Sequence, residues 1–264
     1  MKKNSTKTIW ITGASSGIGE ALVYSYDKRK YNLILSSRNR VALEKVKNNC
    51  SNKEQVYILP LDLLQPEEFL EKTKEAITAF GGVDILINNA GVSQRSLIED
   101  TDLVVYKKLM DINYLGTIAL TKALLPHFIQ QKSGTFVTVT SLMGKFSSPY
   151  RSGYCGVKHA LHGFFDALRL EQEKNGIRVT LICPGFVQTN VSINAFVGDG
   201  QHSNKDDEAT QNGLLPSVFA ARMIKAIDKN KMEAYIGKKE VLGIYLKRFF
   251  PSLLHKIILR SKVR

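Results

Sequence analysis

The chain has 264 residues, 44% of them hydrophobic, which suits one large α/β domain or at most two small ones. No apolar run reaches the ~18 residues of a membrane span. The opening MKKNSTKTIWITGAS lacks the apolar stretch and cleavage site of a secretory signal, so a cytoplasmic protein is expected. The net charge of +13 fits a nucleic-acid partner, a membrane surface or simply a basic soluble enzyme; +7 of it lies between residues 238 and 264.

TIWITGASSGIGEALVYSY reads as a strand, a glycine-rich turn and a helix. YNLILSS is a second strand, followed by a polar helix from about Arg40 to Cys50. QVYILPLDL and PEEFLEKTKEAITAF give a third strand and helix, and VDILINNAG a fourth strand. TDLVVYKKLMDINYLGTIALTKALLPHFIQQ is one long helix with apolar residues at 3–4 spacing, and GTFVTVTS a fifth strand. SGYCGVKHALHGFFDALRLEQEKNG and IRVTLICPG are the next helix and strand. The short apolar strands, each followed by a helix, predict a single doubly wound parallel α/β sheet of about seven strands with helices on both faces. From Asn190 to Asn212 the pattern stops, which predicts a mobile excursion: either a substrate lid or a floppy surface loop. A helix from about Pro216 to Lys229, the strand EAYIG and a basic tail complete the chain.

Three widely spaced cysteines, Cys50, Cys155 and Cys183, show neither a disulfide framework nor a CxxC pair. His159 and His162 lie three apart on one helix, but no further ligand with suitable spacing accompanies them, and no metal site is expected. TGASSGIG carries Gly13, Gly17 and Gly19, with Ser15, Ser16 and Ile18 between them, in a strand–turn–helix context. Glycines there let backbone N–H groups approach a pyrophosphate at the helix N-terminus. A site for NAD would usually offer an acid after the second strand, bonded to the ribose 2′-hydroxyl. SSRNR stands there instead, with Arg38 placed to meet a 2′-phosphate and Ser37 as a hydroxyl donor. The plain alternative is that Arg38 is a solvated loop charge; the missing acid favours NADP(H) over NAD(H).

SGYCGVKHAL places Tyr154 four residues before Lys158, on one face of a helix. Such a pair could merely decorate a surface. It could also be an acid–base pair: a cation near a phenol of pKa about 10 favours the phenolate and fits it to exchange a proton with an alcohol oxygen. Tyr150 is the competing phenol, but its i+4 residue is Tyr154, not a cation.

TGASSGIG at 12–19, NNAG at 88–91, Asn113, Ser141, Tyr154-x-x-x-Lys158 and PG at 184–185 together resemble the short-chain dehydrogenase/reductase family, over nearly the whole length to the seventh strand. The stretch TSLMGKFSSPYRSGYCGVKHALHGFFDALRLE is most similar to the branch holding 11β-hydroxysteroid-dehydrogenase-like and related lipid-handling reductases. The resemblance implies that Tyr154 is the general acid/base, that Lys158 lowers its pKa and bonds the nicotinamide ribose, and that Ser141 holds the substrate oxygen. It implies that Asn113 anchors a water linking Lys158 to solvent. Asn89, Ala90 and Gly91 would lie beneath the cofactor, Asp62 and Leu63 would flank the adenine, and Pro184, Gly185, Val187 and Thr189 would line the nicotinamide side.

The expected protein is thus an NADP-dependent oxidoreductase interconverting a carbonyl and an alcohol, with residues 1–237 as catalytic domain and 238–264 as a basic amphipathic tail. The alternatives are a catalytically silent NADP-binding regulator, which would be expected to lose Tyr154, Lys158 or Ser141, and a nucleic-acid binder, for which no motif appears. Gln94, Met143, Phe146, Tyr150, Phe186 and Phe196 are candidate pocket residues whose bias is apolar. The long helices beginning near Thr101 and Ser152, with Leu161, Phe164, Phe165 and Leu168, suggest pairing into a homodimer or homotetramer. In the tail Leu246, Phe249, Phe250, Leu253, Leu254 and Ile257 recur at helical spacing among basic residues, and Pro251 starts or kinks a turn. That stripe would lie on an anionic membrane surface or pack on its own domain.

Overall fold

A computed structural model of the chain describes residues 6–261; Lys262 and Arg264 of the basic tail lie outside the described residues, as do the first five. Seven strands, β1 (Thr8–Thr12), β2 (Asn32–Ser36), β3 (Val56–Ile58), β4 (Ile85–Asn88), β5 (Gly134–Val139), β6 (Ile177–Pro184) and β7 (Glu233–Ile236), form one sheet in the order β3-β2-β1-β4-β5-β6-β7. Every pairing is parallel. The helices are α1 (Gly17–Asp27), α2 (Arg40–Asn48), α3 (Phe69–Phe80), α4 (Leu103–Met110), α5 (Thr117–Gln131), α6 (Ser152–Gln172), α7 (Glu208–Gln211), α8 (Pro216–Asp228), α9 (Leu242–Phe249) and α10 (Pro251–Arg260).

The strands are apolar without a polar face because helices cover both sides. Side chains alternate across the sheet. Ile9, Ile11, Leu33, Leu35, Ile85 and Ile87 point to one face, where Leu22, Val23 and Tyr26 of α1 and Phe219 and Met223 of α8 pack on them. Trp10, Ile34, Leu86 and Phe136 point to the other, against Phe69 of α3, Leu120, Leu124 and Phe128 of α5, and Leu161 and Phe165 of α6. Each fully buried side chain of this size contributes roughly 1.5–3 kcal/mol. The buried indole of Trp10 donates to Ser36 Oγ at 2.8 Å, so its one polar atom is satisfied.

Strand order runs outward from β1 through β2 to β3, then returns to place β4 on the other side of β1. The reversal opens a crevice at the carboxyl ends of β1 and β4, where the connections diverge and ligands of such sheets bind. The predicted long helix is divided: a π segment, Asp111–Gly116, joins α4 to α5.

Candidate active site

The turn between β1 and α1 is shaped by its glycines. Gly13 has φ +65°, and a Cβ there would stand 2.9 Å from Ala90 Cα. A Cβ on Gly19 would lie 2.1 Å from the Gly13 carbonyl oxygen, so only glycine lets α1 start this close to the turn. The loop after β4 is stitched to the same turn. Asn89 Nδ2 donates to Thr12 O at 3.0 Å and Gly13 O at 3.3 Å, while Thr12 Oγ1 accepts from the N–H groups of Asn89 (3.0 Å) and Ala90 (3.1 Å). Gly13, Ser15, Ser16, Gly17, Ile18, Asn89, Ala90 and Gly91 form one wall of a cleft of about 600 Å³. No side chain caps the N-terminus of α1. This bare helix start in a steric cradle that a Cβ would fill fits a dinucleotide pyrophosphate.

Ser37, Arg38, Asp62 and Leu63 follow β2 and β3 and stand outside the walls of that cleft, beyond the glycine turn. Arg38 is exposed, Ser37 and Asp62 half-buried and Leu63 buried. Ser37 Oγ donates to Asn39 O at 3.4 Å, and Asp62 Oδ1 accepts from the Leu64 N–H at 3.1 Å.

On the opposite wall Ser141 ends the run from β5, its Oγ accepting from Met143 N–H at 3.1 Å. Tyr154 sits in the first turn of α6, and both line the cleft with Lys158. Gln94, expected in the substrate pocket, instead caps α6: its Oε1 accepts from Gly153 N–H at 2.7 Å and Tyr154 N–H at 3.4 Å, because it is buried under the helix start. Lys158 Nζ donates to Val139 O at 2.9 Å and lies 5.5 Å from the Tyr154 ring centre. Burial lowers the Lys158 ammonium to about pKa 8.

The Tyr154 phenol departs from expectation. Burial raises its pKa, and this outweighs a downward pull from the Ser141 hydroxyl and from the Arg95 and Arg151 cations. The cations that pull it down are Arg95 and Arg151, not the Lys158 to which the Tyr–Lys spacing pointed. Asn113 is buried in the π segment, with Oδ1 accepting from Val92 N–H at 2.8 Å and Nδ2 donating to Val92 O at 2.9 Å. Its side chain thus fixes the backbone after NNAG, behind Gly91.

Pro184, Gly185, Phe186, Val187 and Thr189 line the cleft after β6, and Met143 and Phe146 complete its apolar wall. Tyr150 and Phe196 do not line it. Phe196 is buried against Val105, Leu109 and Val157, and the Tyr150 backbone lies in the left-handed region at φ +65°. The tail, expected either on a membrane or on the domain, packs inward along one side. Leu246, Leu254, Ile257 and Ile258 wall the cleft, and Gly243 lies against Phe146.

The segment 190–212 lacks periodicity but is anchored. Ser192, Ala195, Phe196, Asp207 and Thr210 are buried, and Asp207 pairs with Arg95 at 2.8 Å and Arg151 at 3.5 Å. Burial alone would raise the Asp207 carboxyl, but hydrogen bonds from Thr210, Arg95 and Ser192 together hold it well below the usual carboxylate range.

His162, which sequence spacing left without co-ligands, meets Cys183 of β6 and Glu233 of β7; Cys183 Sγ donates to Glu233 Oε1 at 3.3 Å and lies 3.8 Å from His162 Nε2. Lys145 Nζ already stands 2.8 Å from Glu233, so a side-chain cation neutralises this carboxylate.

Residues 7–198 match the family described as short chain dehydrogenase. Over 251 residues the chain is 41% identical to human Dehydrogenase/reductase SDR family member 7, covering 92% of this chain and 74% of the relative. A short chain dehydrogenase/reductase from Burkholderia phymatum solved with NAD superposes with TM-score 0.83 at 20% identity, covering 96% of each chain. A variant of ElxO with NADPH bound superposes with TM-score 0.67 at 28% identity, covering 70% of this chain and 75% of that one.

Proposed function

The chain belongs to the short-chain dehydrogenase/reductase family of oxidoreductases, and from that premise we propose an NADP(H)-dependent enzyme that interconverts an apolar ketone or aldehyde and its alcohol. The observation that carries this reading is the convergence of Ser141, Tyr154 and Lys158 on one cleft with the glycine turn. The nicotinamide, when bound, supplies the hydride acceptor or donor. Ser141 positions the substrate oxygen, and Tyr154 gives that oxygen a proton in reduction or takes one in oxidation. Lys158 places its charge beneath the phenol and holds the ribose hydroxyls. Asn113 fixes the backbone at Val92 below the cofactor and would anchor a water that links Lys158 to solvent. Gly13, Ser15, Ser16, Gly17, Ile18 and Gly19 receive the pyrophosphate, Ser37 and Arg38 the 2′-phosphate, and Asp62 and Leu63 the adenine. Asn89, Ala90, Gly91, Pro184, Gly185, Val187 and Thr189 hold the remaining half. The apolar wall of Met143, Phe146, Leu246 and Leu254 supports a lipid-like or aromatic substrate.

We read the enzyme as cytoplasmic, which the three unpaired, buried cysteines support. Its partners in this reading are further copies of itself and, through the exposed face of α9 and α10, an anionic membrane surface.

A panel of apolar ketones, aldehydes and alcohols run with NADPH, NADH and their oxidised forms tests this. NADP(H) should be preferred, and Arg38→Asp should narrow or reverse the preference, since one charge-assisted bond amounts to roughly ten- to hundredfold in affinity. Equal use of both cofactors by the wild-type chain contradicts the cofactor assignment.

A further inference from the structure

Two guanidinium groups line the cleft beside Tyr154, and one carboxylate serves both. Arg95 is saturated by the protein. Its Nε and Nη2 donate to Asp207 Oδ2 at 3.2 and 2.8 Å, Nη2 also reaches Ser192 Oγ at 3.1 Å, and Nη1 reaches Ser93 Oγ and Gln94 O at 2.7 Å each. Asp207 further accepts from the Ser192 hydroxyl at 2.8 Å and the Thr210 N–H at 2.7 Å. Arg151 gets the remainder. Among the described residues its hydrogen bonds are Nη1 to Ser148 Oγ at 3.1 Å and Nη2 to Asp207 Oδ2 at 3.5 Å, the latter at the edge of bonding distance.

Arg151 is nonetheless 5% exposed. Burial and the neighbouring Arg95 charge lower its pKa to about 10, which still leaves it cationic at neutral pH. A buried cation short of partners is costly. This one opens onto the same cleft as Ser141 and Tyr154, three residues before the phenol. The other charged groups on the cleft wall do not relieve it: Lys158 and Lys239 add positive charge, and Glu240 accepts from the Phe186 and Lys238 N–H groups at 3.1 and 3.0 Å. A planar guanidinium with unspent donors matches a carboxylate in geometry and charge.

We propose that the substrate is an apolar carbonyl or alcohol that also bears a carboxylate, which Arg151 receives while Ser141 and Tyr154 hold the reacting oxygen. The apolar wall formed by Met143, Phe146, Leu246, Leu254 and Ile258 takes the body of the molecule. Arg95 is a positioning residue: it holds Asp207, and through it the 190–212 segment, against Arg151. The inference rests on the cleft being the carbonyl and alcohol site, and it narrows the substrate class of that site.

Calorimetric titration of the chain, with NADP+ present, with decanoate, methyl decanoate and decan-1-ol tests it without turnover. Wild type should bind decanoate roughly ten- to hundredfold more tightly than either neutral analogue. Arg151→Gln should abolish that preference while leaving decan-1-ol affinity in place. Equal affinities in wild type overturn the proposal, as does a preference that survives in Arg151→Gln, which would place the anion on another basic surface such as the tail. Should the glutamine variant fail to fold, Arg151→Lys keeps the charge without the planar fork. A several-fold drop in the decanoate preference supports the assignment, and an unchanged preference contradicts it. If no carbonyl is turned over but decanoate is selected, the reaction reading fails and only the carboxylate site at Arg151 stands; turnover without selection keeps the reaction and overturns the carboxylate.

Discussion

Tyr154 shows how far a pair read from spacing describes a site. The i, i+4 relation correctly put the phenol and Lys158 on one face, 5.5 Å apart ring centre to nitrogen. It could not show that burial governs both groups, raising the phenol and lowering the ammonium to about 8. Nor could it show Arg95, which arrives from the loop after β4. Arg151 stands three residues before Tyr154, but no local pattern marks a lone arginine as buried.

His162 has the same character, because its neighbours Cys183 and Glu233 come from two other strands. Burial and the Lys145 charge lower its pKa to about 4, against the opposite pull of Glu233. The folded value lies below the unfolded one, near 6.5, so the unfolded chain binds the extra proton as pH falls between these values. Stability is present above about pH 6.5 and drains away as pH falls toward 4. Between pH 7 and pH 5 the wild type should lose about 2 kcal/mol more than His162→Gln, measured by chemical denaturation at both pH values. Equal losses would show that His162 does not drive the change.

At the scale of elements, the apolar periods gave every strand and most helices. They did not give the π segment inside the predicted long helix, because its cause is tertiary: Asn113 bonds the Val92 backbone, and a Cβ on Gly116 would stand 2.4 Å from Leu63 O. The 190–212 segment has no period to read, yet Asp207 anchors it through a buried ion pair formed across the sequence. The tail divides the two earlier expectations between its faces. Leu254 is buried, whereas Phe249 is 67% and Phe250 61% exposed beside Lys247 and Arg248. Pro251 begins α10 and sets the turn between the two helices. Removing everything after Gly243 would strip the cleft wall, so substitutions on the outer face test membrane contact more cleanly. The chain should sediment with anionic vesicles at low salt and release as the Debye length shortens toward about 8 Å. The Phe249→Ser, Phe250→Ser double variant should stay in solution. Absence of wild-type sedimentation at every salt concentration contradicts a membrane role.

The whole molecule was legible as a doubly wound sheet because each of its levels, strand period, glycine turn and helix spacing, points to one topology. Its assembly was less so. Of the residues that suggested pairing, Leu161, Phe165 and Leu168 are spent inside the core. The large apolar groups left outside on α4, the π segment and α6 are Leu103, Val104, Met110, Leu115 and Leu170, 36–82% exposed. Light scattering at micromolar concentration should give a dimer or tetramer mass, and Leu103→Lys with Leu170→Lys should shift it toward the monomer. A strictly monomeric wild type contradicts assembly through these helices.

The claim on which the rest depends is that Tyr154 exchanges a proton with the substrate oxygen. Single-turnover reduction of an apolar ketone by NADPH, compared between wild type and Tyr154→Phe, measures this most directly. The variant keeps the ring and removes the proton. The account predicts a rate about 10²–10⁴-fold lower with NADPH affinity little changed. A near-normal rate in Tyr154→Phe would contradict it.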